Sequence, residues 1–573
     1  MAETLLSPGV LTRENDQTLI TQGPITAGAA ILGPTVKGPV NIPTLVTSYS
    51  DYKSKFGGTF ESASIQYEYL TSIAVYNYFQ QGGQTALITR VTSGSFSPAD
   101  ATVRSIAHPD SASFELETIS QGNLMNNSGS IGASGSLISG SSDNVRWEVA
   151  SMDSGSGQFS LLIRRGDDNQ KSKTVLETWN NLSLDPNSAN YIEQVIGNQR
   201  PEFLIDGDGV PYISNTGSFL NNSRYVRVKS VTNPTYNYLD NNGNFKSEYT
   251  ASLPAVASGS FDGATGQVYF ETAGAAFNEN INSATNIQGL NNTNYTTSIA
   301  LLANQDEYIF NAITAPGLTI ENTPTTVTSL INMVQERGDA IAIVDPSAYG
   351  ATLNGMTAEA SSYNSSYAAC YAPWLQTTSP ETGELVWVPA STMIPGVYAY
   401  NDRVGEAWFA PAGLNRGGLA TVVRPERKLS QSERDTLYQG KVNPIASFPG
   451  SGVVVFGQKT LQTKASALDR VNVRRLLIQL KSYISQVADN LVFEQNTIAT
   501  RNAFLSQVNP YLESVQQRQG LYAFKVIMDA SNNTADVIDR NQLIGQIYLQ
   551  PTKTAEFIYL DFNVLPTGAT FPA

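Results

Sequence analysis

Residues 68–91 read EYLTSIAVYNYFQQGGQTALITRV. Tyr69, Leu70, Ile73, Ala74, Tyr76 and Phe79 recur close to helical spacing, which predicts a helix over 68–79. Gly82-Gly83 stops it, and 85–91 returns as an apolar strand. Upstream, 27–32 reads as a strand ended by Gly33-Pro34, and 45–47 as another. Ser50 and Asp51 are placed to cap a short helix over 52–56. Strand, helix, glycine stop and strand make the repeating unit of an α/β layer, so 21–92 is expected to be an α/β region.

The same grammar resumes after residue 320. A helix is expected over 326–335, ended by Gly338, and then a buried strand over 340–344, followed by Asp345-Pro346. Further strands are expected over 368–374 and 384–388, placing a second α/β region at 321–460. From 461 to 554 the pattern changes. Leu468, Val471, Leu476, Leu477, Leu480, Ile484, Val487, Ala488 and Leu491 trace one face of a long helix. Arg470, Arg474, Arg475 and Lys481 form its charged complement. A second helix starts at a Thr497 cap, should kink at Pro510, and ends at Gly520. Strands over 522–528, 543–549 and 556–563 complete an α, α, β, β, β order and an α+β domain.

Between these parts, 93–320 is rich in Ser, Asn, Gly and Thr, with short alternating strands at 114–118, 145–149, 159–164 and 225–231. It reads as a mostly β module of one or two subdomains. The first 20 residues and 555–573 are arm-like. Val10, Leu11, Thr12 and Arg13 at one end, and Phe557, Ile558, Tyr559 and Leu560 at the other, have the pattern of strands with no core of their own.

Composition narrows the function. A chain of 573 residues is too long for one core and suggests roughly three to five domains. Only 15% of residues are charged and the net charge is −14, with no long basic run, which speaks against wrapping nucleic acid. The single cysteine, Cys370, excludes an intramolecular disulfide and a multi-cysteine zinc site. The single histidine, His108, sits in AHPD beside a proline, where it reads as a loop residue rather than a catalytic base. Asp345 stands where open-sheet enzymes place a carboxylate, but no histidine or second ordered carboxylate accompanies it, so it reads as a capped or solvated loop residue. GLNRGG at 413–418 lacks the lysine and hydroxyl of a phosphate loop and reads as a turn. The Asn-rich loops lack the carboxylate density of a calcium site. The opening MAETLLSPGV lacks a signal-peptide pattern, and no window reaches 18 apolar residues, so no membrane span is expected. No enzyme, metal or cofactor is expected.

Several blocks together resemble the contractile bacteriophage tail sheath family. They are LLSPGV at 5–10, AAILGPTVKGPVNIPTLVTSYSDYKSKFGG at 29–58, SSYNSSYAACYAPWLQ at 361–376, and WVPASTMIPGVYAYNDRVGEAWFAPAGLNRG at 387–417. VNVRRLLIQLKSYI at 471–484, NLVFEQN at 490–496 and AEFIYLDF at 555–562 follow in the order the family has them. Gln495 departs from the proline that the family often carries after the glutamate of that block. The stretch 93–320 matches nothing in the family pattern. The resemblance implies a multidomain α/β and α+β protein. Its inner sheath domain is built from N- and C-terminal regions, and it carries inserted, mostly β outer domains. It implies self-assembly into six-membered rings stacked helically around a tail tube, with baseplate and tail terminator proteins as further partners. It also implies contraction driven by a metastable lattice without nucleotide hydrolysis, and a place in the virion after assembly in the host cytoplasm. Within that frame the two arms are expected to add strands to neighbouring subunits. Arg470, Arg474, Arg475 and Lys481 are expected to meet acidic groups on the tube or a neighbour. A sheath of a non-phage contractile injection device, or a glycan-binding virion surface protein using Tyr225, Tyr236 and Tyr238, are the competing readings.

Overall fold

The computed structural model describes residues 25–556, apart from 63, 107–110, 133–134, 241, 268–276 and 282. Eight strands form one central sheet. In spatial order they are Thr44–Val46, Ala86–Arg90, Ile25–Gly33, Tyr308–Thr319, Ile341–Asp345, Ala368–Ala372, Val442–Phe448 and Gly452–Val455. The six inner strands run parallel, and the strand at each edge is antiparallel to its neighbour. Parallel strands covered on both faces are buried along their length and mostly apolar. Ala86–Arg90, Ile341–Asp345 and Ala368–Ala372 are accordingly buried at every position.

The sheet joins what the sequence divided. The regions 21–92 and 321–460 are one body, because Ile25–Gly33 lies between Ala86–Arg90 and Tyr308–Thr319, with Ala29 opposite both Ala86 and Ala312. The stretch 93–320 gives its last strand to that sheet as well. The helix Asn294–Leu301 before it already packs into the same core through Tyr295 and Ile299.

Local signals are read with small shifts. The first helix is Tyr49–Phe56, capped by Ser48 rather than Ser50 or Asp51, with the Ser48 hydroxyl accepting from the Asp51 N–H. The next helix is Leu70–Gln80. It starts later than its apolar spacing suggests because Ile65–Glu68 pairs with Thr59–Ser62 as a hairpin. Pro324–Arg337 ends at Gly338, whose φ of 71° is the left-handed stop that glycine adopts without strain.

The inserted module carries a four-stranded antiparallel sheet (Val175–Ser183, Gln158–Arg165, Val145–Asp153, Ser258–Gly259) and a three-stranded one (Val226–Val231, Ala112–Gln121, Pro98–Arg104). Phe114, Leu116, Trp147, Leu161, Ile163 and Val226 from both sheets share a single core, so the two sheets form one packed unit. Polar contacts join it to the central body, beside apolar ones from Phe203 and Ile213. The buried Arg90 guanidinium donates to the carbonyls of Gly38 and Gln121 at 2.6 and 2.8 Å, and the Lys37 ammonium donates to the Asp143 carbonyl at 3.0 Å.

The C-terminal unit has helices Val471–Asp489 and Ile498–Gln517, then an antiparallel pair, Leu521–Ile527 and Gln546–Pro551. A short helix, Ala535–Asp539, stands between the two strands, so the order is α, α, β, α, β over the described residues. The expected strand over 543–549 begins later than predicted, and most of the one over 556–563 lies outside the described residues. Pro510 sits inside its helix without ending it. Leu476, Leu480, Phe504, Val508, Leu512 and Val515 form a separate core, into which the central body inserts Trp408. Among the described residues, no helix is long and apolar enough to cross a membrane.

Candidate assembly surfaces

The four cations of the long C-terminal helix do not share one surface. Arg474 is 4% exposed; it stacks its guanidinium 3.9 Å from the Tyr367 ring centre and donates to the Ser366 hydroxyl at 2.5 Å. Arg475 is 7% exposed, donates to Asp402 Oδ2 at 2.5 Å and lies 4.6 Å from the Tyr398 ring. Burial pulls the Arg475 guanidinium down, but the Asp402 carboxylate outweighs it and the group stays charged. Burial lowers Arg474, which has an aromatic ring and a hydroxyl in place of a carboxylate. Both therefore face inward and staple this helix to the central body. That corrects the expectation that they meet a tube or neighbour. The helix packs against the preceding domain on the side that periodicity marked as polar, which local pattern alone does not reveal. Lys481 is exposed and donates to the Tyr367 hydroxyl at 3.1 Å.

Arg470 has a different task. It clasps Glu556 with two bonds, Nε to Oε1 at 2.7 Å and Nη2 to Oε2 at 2.9 Å. The Tyr438 hydroxyl adds a third bond to Glu556 at 2.9 Å and the Gln458 amide a fourth at 3.1 Å. Burial pushes the Glu556 carboxyl up, but the Arg470 hydrogen bonds and charge outweigh it and hold it below the usual range. Glu556, the last described residue, is thus anchored to the body. Candidate arm residues Val10, Leu11, Thr12, Arg13, Phe557, Ile558, Tyr559 and Leu560 lie outside the described residues, as does His108.

Among the described residues, the pair Leu521–Ile527 and Gln546–Pro551 has no third strand. Tyr522 and Tyr548 are exposed on it, and Val492 and Phe493 are exposed at the turn between the two helices. The other sequence candidates stay local. The 413–418 stretch is a turn. Asp345 is not solvated: it is 1% exposed at the carboxyl end of its strand, and its Oδ1 accepts from the Ser391 N–H at 2.9 Å. Burial pushes its carboxyl up to about 7.

Comparison with known proteins shows what the second half of the chain is similar to. The family model for the phage tail sheath protein central domain matches residues 288–461, and that for the phage tail sheath C-terminal domain matches 463–565. Over 288–565 the chain is similar to the central and C-terminal domains of the phage tail sheath family. Tail sheath proteins of Vibrio phage KVP40 and Enterobacteria phage T4 are 44% and 38% identical over 185 residues, 32% of this chain and 28% of each relative. The tail sheath protein of Salmonella phage ViI is 32% identical over 251 residues, 42% of this chain and 40% of that protein. The chain therefore covers well under half the length of these curated relatives. In fold it is similar to the sheath tail protein of Listeria innocua, at TM-score 0.51 and 11% identity, covering 92% of this chain and 95% of that one.

The two sheath domains meet where the arginines act. Tyr367, Tyr398 and Asp402 belong to the central sheath domain, and Arg474 and Arg475 to the C-terminal one. Sequence reasoning missed these partners as site residues. Their one signal was position: Tyr367 and Asp402 fall in the SSYNSSY and YAYNDRV stretches of the blocks that carry the sheath resemblance.

Proposed function

We propose that this protein is the structural subunit of a contractile phage tail sheath. Six copies form a ring around the tail tube, rings stack helically, and contraction of the lattice drives the tube through the host envelope. Baseplate and terminator proteins bound the stack, and the particle is a virion tail assembled in the host cytoplasm. The role is mechanical rather than enzymatic. The observation that carries this reading is the ordered match of both sheath domains across 288–565.

The geometry supports a mechanical division of labour. The central and C-terminal domains are locked by the Arg475–Asp402 pair and the Arg474–Tyr367 stack, so they move as one piece. The arms link copies by adding strands to the C-terminal pair, which satisfies backbone groups on both sides. Such links survive rotation of the bodies between them.

Negative-stain electron microscopy of the purified full chain, at low and high salt and with and without tail tubes, tests this. Striated sleeves of fixed width are expected. Higher salt should raise the yield of untemplated polymer, because screening relaxes repulsion between copies of charge −14. Monomers or small closed oligomers under every condition, tubes included, would overturn the sheath reading.

A further inference from the structure

Charge is unevenly spread along the chain. Residues 93–320 carry 22 acidic and 11 basic side chains, a net −11 of the total −14. Part of that module is a two-stranded ribbon, Arg200–Ile205 paired with Pro211–Thr216, whose base residues Phe203 and Ile213 pack on the central core. Its far end is exposed throughout 204–210. Leu204, Ile205, Val210 and Tyr212 are apolar and uncovered there. Between them lies the turn Asp206-Gly207-Asp208-Gly209. Asp206 Oδ1 accepts from the N–H groups of Asp208 and Val210 at 3.0 and 2.7 Å, which holds the tip in shape. The ribbon ends in an apolar, acidic knob.

A complementary surface exists elsewhere on the same chain. In the three-stranded sheet of Leu375–Thr378, Leu385–Val388 and Val422–Pro425, the residues Trp387, Gln376 and Arg424 form one cross-strand row. Arg424 lies 5.2 Å from the Trp387 ring centre and donates to Gln376 Oε1 at 2.7 Å. Tyr349 packs on Trp387 with ring centres 5.3 Å apart, and Leu385 and Val423 are uncovered beside them. Arg427 and Lys428 are exposed next to this face, and neither forms an ion pair among the described residues. Glu426 and Glu433 interact with Arg427 at longer range and offset part of its charge, so an acidic partner would compete with them. Glu426 accepts from the Gly350 N–H, and Glu433 closes its own helix cap. Glu384 is exposed at the far end, on the hairpin turn. Trp, Tyr and Arg are the residue types that dominate binding energy at interfaces.

We propose that the Leu385–Trp387–Arg424 face of one copy receives the Ile205–Val210 tip of a second copy, with Asp206 and Asp208 against Arg424, Arg427 and Lys428. Apolar surface meets apolar surface, and acid meets base. The two patches differ, so the contact is head-to-tail and propagates instead of closing on a pair. This deepens the sheath reading and rests on it, and it identifies which surfaces of the inserted and central parts join copies within the lattice.

Site-directed crosslinking tests it in the full chain. The only native cysteine, Cys370, is fully buried and does not compete. The double variant Ile205→Cys with Leu385→Cys, assembled and then oxidised, is expected to give a ladder extending beyond the dimer on a non-reducing gel. Either single variant should give none. Asp208→Lys, which leaves the Asp206 turn bonds in place, should lower the crosslinked fraction about fivefold at low salt, and adding Arg427→Glu should restore it. Sleeves visible by microscopy without a ladder, or a crosslink that stops at the dimer, would overturn this contact and leave the sheath reading intact. Failure of the unmodified chain to form sleeves with tubes present would instead strike the sheath reading itself.

Discussion

Replacing Asp345 by Asn should remove a large, pH-dependent stability term from the central body. The carboxyl is buried at the end of its strand, and burial raises it from 3.8 to about 7, with the Ser391 hydrogen bonds pulling back only in part. Below pH 3.8 the group is neutral in folded and unfolded chains, and the folded state keeps its full stability. As pH rises from 3.8 to about 7, the unfolded chain loses the proton while the folded chain holds it, so stability falls by ~1.36 kcal/mol per pH unit. The total is about 4 kcal/mol, of which about 3 kcal/mol falls between pH 5 and pH 8. Above pH 7 the term is constant. Asparagine is a neutral shape match that still accepts from Ser391, so it lacks this loss. The assay is urea denaturation of unassembled protein at pH 5 and pH 8, followed by tryptophan fluorescence. Trp374 is a local reporter, since its indole N–H donates to the Ser347 carbonyl at 3.0 Å, two residues beyond Asp345. The stability of Asp345→Asn relative to the parent should rise by about 3 kcal/mol between the two pH values. The same difference at both pH values would refute the assignment of a neutral buried acid.

Four further outcomes are expected. Arg475→Met removes the partner of Asp402 and should cost about 1–3 kcal/mol, read as faster proteolytic release of the C-terminal unit; an unchanged cleavage rate would show that the pair does not lock the domains. Reversing both Arg474 and Arg475 to Glu should lower the melting temperature of the monomer itself, whereas a surface-contact role would leave the monomer unchanged. Leu512→Ala, at a fully buried site, should cost 2–5 kcal/mol, a range set by about 2–5 for such truncations, and lower only the C-terminal transition, because the inserted module has a separate core. Deleting 1–15 or 555–573 should leave a folded monomer that cannot polymerise, and normal-length sheaths from either truncation would reject strand exchange by the arms.

The elements themselves were legible because their signals are local. Gly338 stops a helix through its own backbone, Thr497 caps one by bonding the Thr500 N–H three residues on, and the apolar stripe of Val471–Asp489 repeats within each turn. The resemblance of short ordered blocks to sheath proteins was legible for the same reason. Domain membership was not. Ala29 and Ala312 are register partners across the whole inserted module, and no local pattern records which of many apolar strands will lie beside which. The arginines make the same point on a smaller scale. Helical spacing put Arg474 and Arg475 on the polar side, and only packing against Tyr367, Tyr398 and Asp402 turned that side inward. Asp345 looked like a loop residue until the strand on either side and the Ser391 turn above closed over it. Sequence determines what each segment tends to become within a few residues. Burial, pairing and charge state depend on groups hundreds of residues away, and only the tertiary structure brings those together.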